Sequence, residues 1–172
     1  MKIVKFLDQK GTALVSDPLN QTILKNLVAK ELSISELASK MNMPTLKLWR
    51  RIQKLAKANL VILTRTEKSG NLEKKMYRAT ATRYVPQQFF DLKPKDANLK
   101  AAFDIYSDIQ KDMWAKVSNL GDVPATANPT DYALFASMQS FAEVCTEQAT
   151  QAKLEELEKE LTKFQKQSGL TK

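Results

Sequence analysis

Apolar positions recur along the first third of the chain with the period of amphipathic helices. Leu19, Ile23, Leu24, Leu27 and Val28 fall on one helical face. Asp17-Pro18 stands before them, a side chain that can cap and a proline that needs no amide hydrogen in the first turn. A helix is therefore predicted over residues 18–30. Ser33 and Glu36 then have the S-x-x-E spacing of a capping box, in which two orphaned amides are satisfied reciprocally. The short helix it starts, 34–41, buries Leu37, Ala38 and Met41. Asn42-Met43-Pro44 breaks the pattern, and Pro44 suits the first turn of the next helix, which runs to about residue 58 with Leu48, Ile52 and Leu55 inward. Asn59 follows, where a left-handed residue is wanted.

The period then changes from helical to strand-like. Residues 60–67 are rich in β-branched side chains and read as a strand. Lys68-Ser69-Gly70-Asn71 is turn chemistry, and residues 75–82 return as a second strand, with Met76, Arg78 and Thr80 on one face and Tyr77 and Ala79 on the other. Residues 2–7 fit a short strand or an ordered arm, and Gly11 and its neighbours do not settle which. Residues 84–98, with Pro86 and Pro94, read as a linker that Phe89 and Phe90 pin down.

Two helical stretches complete the chain. The first is expected over 97–119, where Leu99, Ala102, Phe103, Tyr106, Ile109, Met113 and Val117 keep the period. The second restarts at Asn128-Pro129 and continues without proline or glycine to about residue 166. At about 1.5 Å per residue it would be roughly 50 Å long. Leu154, Leu157, Leu161 and Phe164 repeat at 3-4-3 among Glu, Lys and Gln, a coiled-coil-like seam for which a second copy of the chain is the simplest partner.

Charge divides the chain in the same place. Residues 1–86 hold 17 Lys and Arg against 6 Asp and Glu, whereas 87–172 hold 10 against 13. Only the first half is thus expected to face a polyanion. The 172 residues contain no His and one Cys, Cys145, read as a buried, inert thiol. That rules out an internal disulfide, makes a His/Cys metal site implausible and removes the usual neutral-pH acid–base catalyst. No nucleophile–base pair or phosphate-binding glycine loop is visible, so neither an enzyme nor a cofactor is expected. The start lacks the apolar stretch of a signal peptide and no run of apolar residues could span a bilayer, so a cytoplasmic protein is expected.

Helix, turn, helix and hairpin in this order predict a mostly α fold with a small β-hairpin. Residues 1–86 form a winged helix-turn-helix, and 87–172 a linker and long C-terminal dimerisation helices. With Leu48, Ile52 and Leu55 inward, Thr45, Leu46, Lys47, Trp49, Arg50 and Gln53 lie on or beside the outward face of the third helix. Arg can bridge guanine, Gln can bridge adenine, and Leu or Thr can touch a thymine methyl. Arg50 is the first choice for a base reader, Lys47 and Lys54 for phosphate contacts, while Arg51 could equally pair with an acidic neighbour. Trp49 adjoins the apolar stripe, and core and contact readings both stand open. In the wing, Arg65, Lys68, Lys74, Lys75 and Arg78 could reach phosphates or the minor groove. For each cation the plain alternative is a solvated surface charge.

The stretches LVSDPLNQTILKNL, LSISELASKMNM and LWRRIQKLAKANLV, then a hairpin ending MYRATA, resemble the ArsR-like winged-helix regulators, especially the archaeal-type members with an appended helical dimerisation region. The resemblance covers residues 14–86. It implies a homodimer that binds double-stranded DNA to regulate transcription, with base contacts from the third helix and backbone contacts from the wing. The Cys pairs or His/Asp sets of the metal-sensing members are missing, so metal sensing is not implied. Pro44 and Trp49 stand where small polar residues are usual, and borrowed sequence specificity is not implied either. The aromatic residues Phe103, Tyr106, Trp114, Tyr132, Phe135 and Phe141 could line a pocket for an apolar small-molecule effector or simply form core and dimer seam. Two other readings remain: a nonspecific architectural DNA-binding protein, and a protein–protein adaptor of the transcription machinery that uses an exposed Trp49.

Overall fold

The computed structural model describes residues 1–69 and 72–170, with the backbone alone at Ser69 and Leu72. The chain divides into two compact units, one formed by Met1–Gln87 with Gly121–Ala133, the other by Gln88–Leu120 with the chain from Leu134.

The first unit begins with β1 (Lys2–Leu7) and α1 (Gln9–Ser16), followed by α2 (Pro18–Ala29), β2 (Leu32–Ser33), α3 (Ile34–Lys40) and α4 (Thr45–Lys57). Next come β3 (Val61–Ser69), β4 (Leu72–Ala79) and β5 (Ala81–Pro86). Leu27, Leu37, Leu48, Ile52, Leu55 and Leu60 are buried together in its core, each contributing about 1.5–3 kcal/mol by leaving water. α2, α3 and α4 followed by the β3–β4 hairpin make a winged helix, with β2 pairing on β4 to anchor the wing beside the start of α3.

The caps are as the sequence predicts. The Asp17 side chain accepts from the amides of Leu19 and Asn20, and both halves of the Ser33/Glu36 capping box are present. Asn59 has a φ of 54°, as expected after α4, and Asn42 in the turn before it has 48°. Asn tolerates this left-handed region better than most side chains.

Several details differ from expectation. Residues 9–16 are a helix, α1, capped by Asp8, whose carboxylate accepts from Gly11 N at 2.7 Å. A Cβ on residue 11 would come within 3.1 Å of that oxygen, so glycine allows the close approach. Pro44 is the cap of α4, not part of its first turn. The returning strand starts earlier and ends at Ala79, and Met76 is buried as well as Tyr77 and Ala79. Met76 and Tyr77 lie opposite Ser33 and Leu32 of β2, and the register shift between Leu63 and Arg65 falls on β3. The turn expected at Gly70 and Asn71 lies outside the described residues.

The start of the expected linker is instead β5, which pairs in parallel with β1. The Tyr84 hydroxyl donates to Leu60 O at 2.9 Å and accepts from Ala81 N, tying this strand to the end of α4. Burial pushes the Tyr84 phenol above its ordinary range. The segment returning at Gly121 lies on the other side of the N-terminus, where Val123 N donates to Met1 O.

Beyond β5 a 3-10 helix (Gln87–Asp91) leads to α5 (Ala97–Asn119), followed by α6 (Pro129–Thr146), whose first residues belong to the first unit, and α7 (Gln148–Gln167). Phe89 meets Phe103 and Tyr106 edge-on, with ring centres 6.1 and 6.2 Å away, which pins the linker as expected. Ile109, Met113 and Val144 form a small core beside Ile105 and Trp114.

The single 50 Å helix expected over 128–166 does not form. The chain breaks at Glu147, which is extended (φ −68°, ψ 131°) and caps α7. α7 then packs on α5 of its own chain. Lys116 of α5 reaches Glu147 at 2.8 Å, and Lys153 reaches Asp112 at 3.1 Å. No proline or glycine marks the break; packing between helices overrides the local pattern. The seam residues Leu157 and Phe164 are half-buried, while Leu154 and Leu161 keep 39% exposure each. The larger exposed apolar surface is on α6, where Leu134, Phe135, Met138 and Phe141 face outward and the small residues Ala136 and Ser140 are buried.

Candidate nucleic-acid interface

Helix α4 has one fully buried stripe, Leu48, Ile52 and Leu55. Everything else on it follows from that stripe. Thr45, Leu46, Lys47, Trp49, Arg50 and Lys54 are exposed, and Gln53 is half-buried. Leu46 keeps 60% exposure and Trp49 46%, so Trp49 lies on the surface of the helix and not in the core. No side chain caps the helix start, and its exposed N-terminal amides carry the positive end of the helix dipole.

A cleft lies on each side of α4. One, of about 600 Å³, has Lys47, Arg50, Arg51 and Lys54 in its wall, with Leu46 and Pro44. The other, of about 730 Å³, runs between α4 and the wing and is lined by Trp49, Gln53, Ile34, Lys74, Lys75 and Tyr77. Lys47, Arg50, Lys54 and Lys75 form no salt bridge among the described residues.

Arg51, Lys74 and Arg65, by contrast, are engaged. Arg51, left open by the sequence, is a brace: its Nη1 donates to Asp17 Oδ2 at 2.8 Å and to Asn20 Oδ1 at 2.9 Å. Asn20 is 4% exposed and donates in turn to Leu14 O. The Arg51 hydrogen bond, with those from the Asn20 and Leu19 amides, holds the Asp17 carboxyl below its ordinary range. α4 is thereby fixed to the start of α2 and the end of α1.

Lys74 is held by Glu36 at 2.9 Å. One carboxylate does two tasks there. Oε1 takes the Lys74 ammonium, and Oε2 accepts from Ser33 N and Ser33 Oγ, each at 2.8 Å. Lys74 first, then Ser33, pull the Glu36 pKa down to about 2 from an ordinary 4.5. The same ion pair raises that of Lys74. Arg65 lies between Glu67 at 2.9 Å and Glu31 at 3.6 Å. Arg78 is half-buried, and its Nε has no hydrogen-bond partner among the described residues. Lys68 is exposed on β3, next to the undescribed turn.

The sequence-predicted residues thus sort by geometry. Leu46, Lys47, Trp49, Arg50, Gln53, Lys54 and Lys75 line the clefts beside α4. Lys74 lines the wing-side cleft from within its ion pair, whereas Arg65 is drawn to carboxylates. Asn20 and Glu36 were missed as parts of the site. Glu36 was legible as a cap; its second oxygen was not. Among the described residues no cluster of His, Cys, Asp and Glu could hold a metal ion, and no helix is long and apolar enough to cross a membrane.

No protein-family model matches this chain. No curated protein matches it either. Among solved structures, the chain is similar to HlyU from Vibrio cholerae, with 23% identity over 42% of this chain and 74% of that one, at a TM-score of 0.35. It is also similar to Bacillus subtilis PadR in complex with operator DNA, with 16% identity over 83% of this chain and 98% of that one, at a TM-score of 0.34.

Proposed function

We propose that this chain is a DNA-binding transcription regulator of the ArsR-like kind that acts as a homodimer. α4 enters the major groove and the wing lies on the backbone or in the minor groove. The observation that carries this reading is the outer face of α4. Lys47, Arg50 and Lys54 are exposed there without carboxylate partners, opposite a stripe that fixes the helix rotation, and Lys75 stands across the cleft on the wing. Lys47, Lys54 and Lys75 neutralise phosphates, while Arg50 and Gln53 read base edges. Lys74, set by Glu36, holds the wing at its angle to α3. A dimer is supported by the apolar side chains left exposed on α6 and α7, among them Met138, Phe141, Leu154 and Leu161. Its twofold axis would place two α4 helices on successive half-sites.

Gel-shift titrations at several salt concentrations test this. Arg50→Ala is expected to relax preference at particular base positions, at a cost of about 1–3 kcal/mol. Lys75→Ala is expected to weaken binding to all duplexes and lower the salt slope by about 1. Equal, salt-insensitive binding by all variants would refute the reading. A ratio of specific to nonspecific affinity near unity would favour the architectural alternative. No binding at low salt would favour the adaptor.

A further inference from the structure

The outer face of α4 is not uniformly polar. Leu46 and Trp49 are three residues apart, hence neighbours on one face, and both are large, apolar and exposed. Each has cations beside it. Leu46 shares a cleft with Lys47, Arg50 and Lys54, where the carboxylate, Asp17, is held by Arg51; Trp49 shares the other with Gln53, Lys75, the Lys74 paired to Glu36, and Glu73. They are the second and fifth residues of the helix, and the N-terminal part of a recognition helix is what meets base edges.

Contact with phosphates does not use such side chains. In the major groove the C5-methyl of thymine is an apolar group that a side chain can cover, and adenine, guanine and cytosine offer polar atoms there instead. The surrounding ammonium and guanidinium groups fit a polyanion and disfavour an uncharged apolar partner. Resting on the reading of α4 as a major-groove helix, we infer that Leu46 and Trp49 are specificity residues that read thymine 5-methyl groups. The preferred half-site then carries thymine opposite the start of α4, beside the base read by Arg50.

Deoxyuridine tests this directly, because it removes the methyl and keeps the base pair. Duplexes bound by the full-length protein are selected from a random pool, and each thymine of the preferred site is replaced singly. Wild type is expected to bind about fourfold more weakly at one or two thymines per half-site, the loss of one buried methyl. Leu46→Ala is expected to abolish the penalty at one thymine and Trp49→Ala at another. Both side chains are exposed, so circular dichroism of the variants should match wild type; Leu46→Met and Trp49→Phe, which keep an apolar surface, should retain the penalty. The inference is overturned if selected sites lack a preferred thymine, if uracil duplexes bind as tightly as thymine duplexes, or if the alanine variants keep the full uracil penalty. Sequence-selective binding with no uracil effect removes this inference and leaves the proposed function standing. No duplex binding at any salt concentration removes both and marks the apolar pair as a protein-docking surface.

Discussion

Replacing Arg51 with alanine separates its bracing role from DNA contact. Its Nη1 bridges Asp17 and Asn20, and the Asn20 carbonyl is inside the protein. Removing the guanidinium leaves that oxygen buried without its donor. Such an orphan costs about 1–3 kcal/mol. The Asp17 ion pair is partly exposed and screened by solvent, so the buried carbonyl sets the scale. A loss of about 2 kcal/mol, at a urea m-value of about 2 kcal/mol per molar, moves the unfolding midpoint by about 1 M. Circular dichroism in urea, with Trp fluorescence as a second probe, reads this shift. The salt slope of DNA binding should stay at its wild-type value, because the Arg51 charge is already engaged. An unchanged midpoint with a salt slope lower by about 1 would show that Arg51 contacts phosphate and that the brace contributes nothing.

Acid should weaken the wing and the start of α3 together, because one carboxylate serves both. Glu36 titrates near 2 in the folded protein against an ordinary 4.5, so its contribution is complete above about 4.5 and disappears as pH falls towards 2. Urea midpoints measured across this window should fall with pH, and Glu36→Gln should flatten that fall; an identical slope in the variant would refute the assignment. Charge on the exposed apolar surface should separate the proposed dimer. Burying one Phe or Leu contributes about 1.5–3 kcal/mol, counted twice in a twofold interface, so Phe141→Glu or Leu161→Glu should raise the dissociation constant at least 100-fold in sedimentation equilibrium. A wild-type protein that sediments as a monomer would refute the dimer itself.

The winged helix was legible because its signals are local. Asp17-Pro18, the Ser33/Glu36 box and the Leu48–Ile52–Leu55 stripe each specify their element within a few residues, and all three formed as expected. What the sequence concealed depends on distance along the chain. β5 is a strand because β1 is there to pair with it, some 80 positions earlier. The break at Glu147 exists because α7 finds α5, and no residue near 147 announces it. The site shows the same division. Composition located the cations of α4, but which of them are engaged depended on Asn20 and Glu36, whose partners lie 31 and 38 positions away.

The parallel pairing of Lys2–Leu7 with Ala81–Pro86 has a temporal consequence. β1 waits for β5, synthesised some 80 positions later, so this pair cannot close until residue 86 has emerged from the exit tunnel. A loop of this length makes closure slow relative to helix formation. During synthesis, α4 and its cations are therefore present before the framework that orients them is complete.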